Sequence, residues 1–129
     1  LRSDYQRTRI ERMCSNIGIK SFSPLWHHSP DEHVRSLPRL GFDVRISSVT
    51  SDGLDDKWIG RKLGVSDVEE LISISSKFRF NSDGEGGEYE TLVLDSPHMK
   101  KRITLDGEMS WKRNRGSWNI SSGRLTSNR

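Results

Sequence analysis

Gly84-Glu85-Gly86-Gly87-Glu88-Tyr89-Glu90-Thr91-Leu92-Val93-Leu94-Asp95 joins two unlike kinds of chain, an acidic glycine-rich turn and a run of β-forming residues. Closely spaced glycines fit neither a helix nor a strand interior, so residues 84–88 read as a loop. Tyr89 to Leu94 reads as a strand, because aromatic and branched side chains suit a pleated surface. Strand alternation would put Glu88, Glu90 and Leu92 on one face and Tyr89, Thr91 and Val93 on the other. Glu85, Glu88 and Glu90 fall within six residues. Like charges that close call for a counter-charge, such as a bound cation, a magnesium ion or a partner amine. The ordinary alternative is a solvated surface loop whose acids serve solubility. The loop lacks the Lys-Ser/Thr pair of a Walker phosphate cradle.

Downstream, Met99 to Leu105 reads as a second strand and Asp106-Gly107 as a hairpin turn leading into Met109 to Lys112. Asn114-Arg115-Gly116 makes a further turn before Trp118 to Ile120, and the tail after Ser121 is expected to fray. Upstream, Ser66 or Asp67 starts a helix that offers Val68, Leu71, Ile72, Ile74 and Phe78 for burial. A short helix is expected from Asp55 to Lys62, after a turn at Ser51-Asp52-Gly53. Phe42, Val44 and Ile46 alternate as in a half-buried strand. Ser29-Pro30-Asp31-Glu32 opens a helix that Pro38 should weaken or end. A first helix begins near Asp4, with Ser3 and Gln6 as a capping box and Gly18 as its stop. Its apolar stripe would be Tyr5, Ile10, Met13, Cys14 and Ile17.

The expected fold is therefore α/β passing into α+β, ending in an antiparallel β-meander. The expected division is residues 1–50, 51–121 and a flexible tail from 122 to 129.

Hydrophobic residues make up 31% of the 129-residue chain and charged residues 30%, so a small core under a polar surface is expected. The formal charge of +3 is mild and does not imply a general nucleic-acid binder. Cys14 is the sole cysteine, which excludes an internal disulfide and fits a reducing cytoplasm. No apolar run nears the roughly 20 residues of a membrane span, and no signal peptide opens the chain. His27, His28 and His33 lack zinc-site spacing and read as surface residues. Cys14 reads as a small buried hydrophobe.

Gly84–Asp95, preceded by the block Ser51–Leu63, resembles the signature of the diphthine–ammonia ligase family, an ATP-pyrophosphatase-like group of the PP-loop superfamily. Ser3-Asp4-Tyr5-Gln6-Arg7-Thr8-Arg9-Ile10-Glu11 and Ser21-Phe22-Ser23-Pro24-Leu25-Trp26 resemble two more blocks of that family. The resemblance covers about residues 2 to 105. It implies a Rossmann-like ATP-binding domain, of which residues 1–50 would be the end, and a C-terminal substrate-recognition region. It also implies an activity: ATP, with Mg²⁺ as the expected companion ion, activates the diphthine carboxylate as an acyl adenylate, and ammonia displaces AMP. The protein partner would be elongation factor 2 bearing diphthine, and a second copy of the chain, as a homodimer, is left open beside it. This sequence has no segment like the family's Ser-Gly-Gly-Lys-Asp-Ser phosphate loop, so the nucleotide would be held through a part not contained here. Two further departures are Pro38, where the family continues a helix, and the basic, tryptophan-containing end.

The resemblance also suggests roles. Diphthine carries a quaternary ammonium, which can donate no ordinary N–H hydrogen bond and favours carboxylates or an aromatic face. Glu85, Glu88 and Glu90 are the candidate catalytic residues. Gly84, Gly86, Gly87, Tyr89, Thr91, Trp58 and Arg61 are the candidate substrate contacts. Ser3, Tyr5, Gln6 and Arg9, at a helix start, are candidates for the nucleotide. From the residues alone, Trp58 reads more readily as core and the first helix as an ordinary capped one, while Arg61 reads equally as a surface ion pair with Asp55 or Asp56. Two other functions remain open on the sequence: a non-catalytic partner-binding module, and a related ATP pyrophosphatase acting on another carboxylate.

Overall fold

In a computed structural model, residues 4–127 are described, and they build a small α+β domain with three α-helices and one four-stranded antiparallel sheet. The helices are α1 (Asp4–Asn16), α2 (Pro30–Arg39) and α3 (Val65–Phe78). The strands are β1 (Asp43–Val49), β2 (Tyr89–Asp95), β3 (Arg102–Lys112) and β4 (Arg115–Thr126), in the order β2-β1-β4-β3.

The α2 start follows from its sequence. The Ser29 side chain accepts from the Glu32 N–H, Pro30 occupies the first turn, and Asp31 and Glu32 face the positive helix end. Pro38 is accommodated in the last turn, and the helix stops at Arg39. α3 begins at Val65, one residue before the Ser66 signal, because the Asp67 carboxylate reaches back to the Gly64 N–H at 2.9 Å. Val68 and Leu71 of α3 are buried, whereas Phe78 stays 46% exposed.

α2, α3 and the 54–63 segment supply Val34, Leu54, Trp58, Ile59, Leu63, Val68 and Leu71 to one core with Val44, Ile46 and Val49 of β1. The expected helix over 55–62 shrinks to a single 3₁₀ turn, Asp56–Trp58, capped by Asp55. The chain then runs extended along β1, with bonds from Gly60 N–H to the Ile46 carbonyl (2.7 Å) and from Leu63 N–H to the Val44 carbonyl (2.9 Å). β4 meets β1 only at Ser48 and Val49, so the 60–63 segment takes over the rest of that edge.

The expected hairpin at Asp106-Gly107 is not the one formed. β3 continues through these residues with a bulge, and the chain turns at Arg113-Asn114. Both turn residues have left-handed backbones, φ 53° and 63°. That two-residue pattern matches the twist of the flanking strands. Gly107 serves close approach instead: a β-carbon there would meet the Ile120 Cα at 2.9 Å. The expected flexible tail gives way likewise, since Ser122 to Thr126 pair with Asp106 to Arg102. The expected boundary after residue 50 falls between neighbouring strands, because β1 bonds to both β2 and β4.

α1 buries no residue. Tyr5, Ile10, Met13 and Ile17 are 49–69% exposed, and Cys14 is half-buried rather than enclosed. The stripe is present as a pattern but packs on nothing among the described residues. No helix there is long and apolar enough to cross a membrane.

Candidate functional site

Two turns, each placed by the end of a strand, come together at one edge of the domain. β1 ends at Val49 and runs into 50–55, and β2 begins at Tyr89 directly after the glycine loop. Thr50 and Ser51 both donate backbone N–H groups to the Glu88 carbonyl (3.0 and 3.2 Å), and the Thr50 hydroxyl donates to the Gly87 carbonyl at 2.7 Å. The acidic glycine loop and the Ser51-Asp55 turn are thus one hydrogen-bonded unit.

The loop is shaped from within. The Glu88 carboxylate accepts from the Gly86 N–H (2.9 Å), the Asn81 N–H (3.3 Å) and the Asn81 side-chain amide (3.2 Å). A β-carbon on Gly86 would fall onto that carboxylate, so a side chain there would have to displace Glu88. The base of the loop is anchored by Tyr89, whose buried hydroxyl donates to the Ser82 carbonyl at 2.5 Å. Ser82 in turn donates to Asp31 of α2 at 2.5 Å. Burial, then the nearby charges of Asp83 and Glu88, push the Tyr89 phenol well above its ordinary range. It stays a neutral donor. Beside the loop, burial lowers the His33 pKa, while Asp83 opposes that shift and His28 adds to it. His33 stands edge-on to His28 at 6.1 Å.

The candidate residues separate in space. Glu85 and Glu90 are exposed, and Glu88 is half-buried and bound to its own loop. Gly84, Gly86 and Gly87 form that loop, and Thr91 is exposed on β2. Trp58 and Tyr89, the expected aromatic face, are core residues, 2% and 3% exposed, and present no ring to a ligand. Arg61 stacks on Trp58 with its guanidinium 4.0 Å from the ring centroid and pairs with Asp67 and Glu70, not with Asp55 or Asp56. Of the nucleotide candidates, Ser3 lies outside the described residues. Arg9 donates to the Tyr5 hydroxyl at 2.9 Å, and both, like Gln6, are exposed on α1. No described cavity joins α1 to the glycine loop.

The cavity that does adjoin the paired turns holds about 520 Å³. Ser51, Asp52, Gly53, Leu54 and Asp55 form one wall; Phe78 of α3 with Trp111 and Asn114 of the hairpin tip form the others. Gly53 makes this wall possible. Its φ is +96°, and a β-carbon would lie 2.5 Å from the Phe78 ring. Gly53→Ala is expected to cost about 2 kcal/mol of stability through strain and overpacking. A shift in a urea midpoint checks this, and a change under 0.5 kcal/mol would refute it.

A profile for the diphthamide synthase C-terminal domain matches residues 29–126. The chain belongs to this family. It is 41% identical over 103 residues to a diphthine–ammonia ligase of Schizosaccharomyces pombe, covering 80% of this chain and 17% of that protein. It is 37% identical over 105 residues to the diphthine–ammonia ligases of Rattus norvegicus and of Homo sapiens, covering 81% of this chain and 39% of each. The chain thus spans well under half the length of the curated relatives it matches. The family's matched span runs from the α2 cap to the last pair of β4, which is the compact domain described above and excludes α1.

The residues that sequence reasoning passed over are Asp52, Phe78, Trp111 and Asn114. Trp111 and Phe78 carry the same ring chemistry as Trp58 and Tyr89. Only the tertiary packing separates rings that fill the core from rings that line an opening.

Proposed function

We propose that this domain is the substrate-facing part of an ATP-dependent amide ligase acting in diphthamide synthesis on elongation factor 2 in the cytoplasm. The reading rests on family membership, and on the hydrogen bonds that fuse the Ser51-Asp55 turn to the acidic glycine loop beside an open cavity. In this proposal ATP, bound through a Rossmann-like PP-loop domain elsewhere in the protein, activates the diphthine carboxylate as its acyl adenylate, and ammonia completes the amide.

The described residues fit the substrate role better than the nucleotide role. They contain no group of three or more His, Cys, Asp or Glu able to cage Mg²⁺, and the described part of α1 buries no residue. This chain's contribution would be to hold and orient. Glu88 fixes the loop that carries Glu85, and Glu90 follows on β2. Their charge would attract cationic diphthine and ammonium, and positioning of this kind can supply several orders of magnitude in rate.

The test is an amidation assay with the full-length protein, ATP, ammonium and diphthine-bearing elongation factor 2. Formation of diphthamide with release of AMP and pyrophosphate is expected. No product with a well-folded full-length protein would refute the reading.

A further inference from the structure

We propose that the cavity between the Ser51-Asp55 turn and the hairpin tip is a quaternary-ammonium subsite, with Trp111 and Phe78 as its aromatic walls and Asp52 and Asp55 as its counter-charge. This rests on the functional reading above in one respect: it names which part of the diphthine side chain the cavity would take.

A trimethylammonium group is bulky, permanently charged and unable to donate an N–H hydrogen bond. It is recognised by aromatic faces and by carboxylates that need not touch it closely. The cavity combines both. Trp111, half-buried on β3, lines the opening; Phe78, partly exposed at the end of α3, lines it too and carries the Lys77 ammonium 5.6 Å from its ring centroid, which shows that this ring accepts a cation. Asp52 is exposed, and its carboxylate has no ion-pair partner among the described residues. Asp55 uses one oxygen to cap the 3₁₀ turn, accepting from the Lys57 N–H at 3.1 Å, and forms no ion pair there either. At 520 Å³ the space exceeds what a trimethylammonium group needs, leaving room for the chain that carries it. The cavity is also coupled to the glycine loop through Thr50 and Ser51, so a cation seated here leaves the rest of its side chain free to extend toward Glu85 and Glu90. The acidic loop itself lacks an exposed ring, because Tyr89 is buried.

The probe is choline against its neutral isostere 3,3-dimethylbutan-1-ol, titrated into full-length protein labelled with 5-fluorotryptophan. Fluorine NMR reads the Trp111 resonance, assigned with Trp111→Phe. Choline is expected to shift that resonance saturably and to bind about tenfold more tightly than the isostere. Asp52→Asn, which removes a charge that bonds to nothing in the fold, is expected to weaken choline several-fold at an unchanged unfolding midpoint. It should also raise KM for the diphthine-bearing protein while sparing kcat. An unmoved Trp111 resonance, equal binding of the isostere, or wild-type choline affinity in Asp52→Asn would overturn the subsite. The two readings fail separately. Choline binding without amidation keeps the subsite and sinks the ligase; amidation with a silent Trp111 keeps the ligase and sinks the subsite.

Discussion

Asp43→Ala is expected to lower the unfolding free energy by about 3 kcal/mol, the low end for removing one partner of a buried ion pair. Asp43 opens β1 and is 3% exposed. It accepts from Arg45 Nε at 2.9 Å and Nη2 at 3.2 Å, and pairs with Arg102 of β3. Arg102 also lies 4.0 Å from Asp95 of β2. The Asp43 carboxylate therefore ties β1 to β3, Arg102 extends the cluster to β2, and both arginines, 28% and 26% exposed, lose a partner when it goes. Partial solvation of the arginines is why the low end of the range applies. Asp43→Asn keeps an acceptor and should cost roughly half as much.

The same site predicts a pH dependence. Burial alone would raise the Asp43 carboxyl, but the hydrogen bonds and charges of Arg45 and then Arg102 outweigh it and hold the pKa below the ordinary carboxylate value. A depressed folded-state pKa gives stability that is complete above the unfolded-state value, near 4, and is lost as pH falls through the folded-state value. Chemical unfolding at pH 7 and at pH 3 should show the Asp43→Asn penalty shrinking in acid. A penalty independent of pH would show that the charge contributes nothing.

Glu88→Ala is expected to reduce amidation by the full-length protein about a hundredfold, the scale of a misplacement near 1 Å at a reacting centre. The unfolding free energy should change by less than about 1 kcal/mol, because the lost bonds are partly solvated. The side chain accepts from Asn81 and Gly86 and so fixes where the loop carries Glu85. Glu88→Gln keeps an oxygen that can accept one of these bonds but not the charge, and should fall between wild type and alanine. Wild-type turnover in both variants would remove Glu88 from the site.

Much of the domain can be read from local chemistry. The Ser29-Pro30 helix start, the Val44/Ile46 alternation, the strand from Tyr89 and the glycine loop all appear in place. These are signals that neighbouring residues settle among themselves. The failures come where distant chain decides. Asp106-Gly107 carries the stronger local turn signal, yet pairing of the whole 11-residue β3 with β4 absorbs it as a bulge. The amphipathic pattern of α1 says which side is apolar and not what meets it. At the site, the motif loops were legible, because unusual glycines and clustered acids stand out in any sequence. The aromatic assignment was not. Trp58 sits in a matching block but turns into the core, whereas Trp111 reaches the opening only because the hairpin folds at residues 113–114.

That short reversal binds the molecule's architecture to its selectivity. Asn114 belongs at once to the two-residue reversal between β3 and β4 and to the rim of the cavity. A single inserted residue there would slide one whole strand past its neighbour and turn Trp111 away from the opening. Variation in what the cavity admits should therefore arrive by exchange of side chains on a fixed frame, and length changes should collect in other loops.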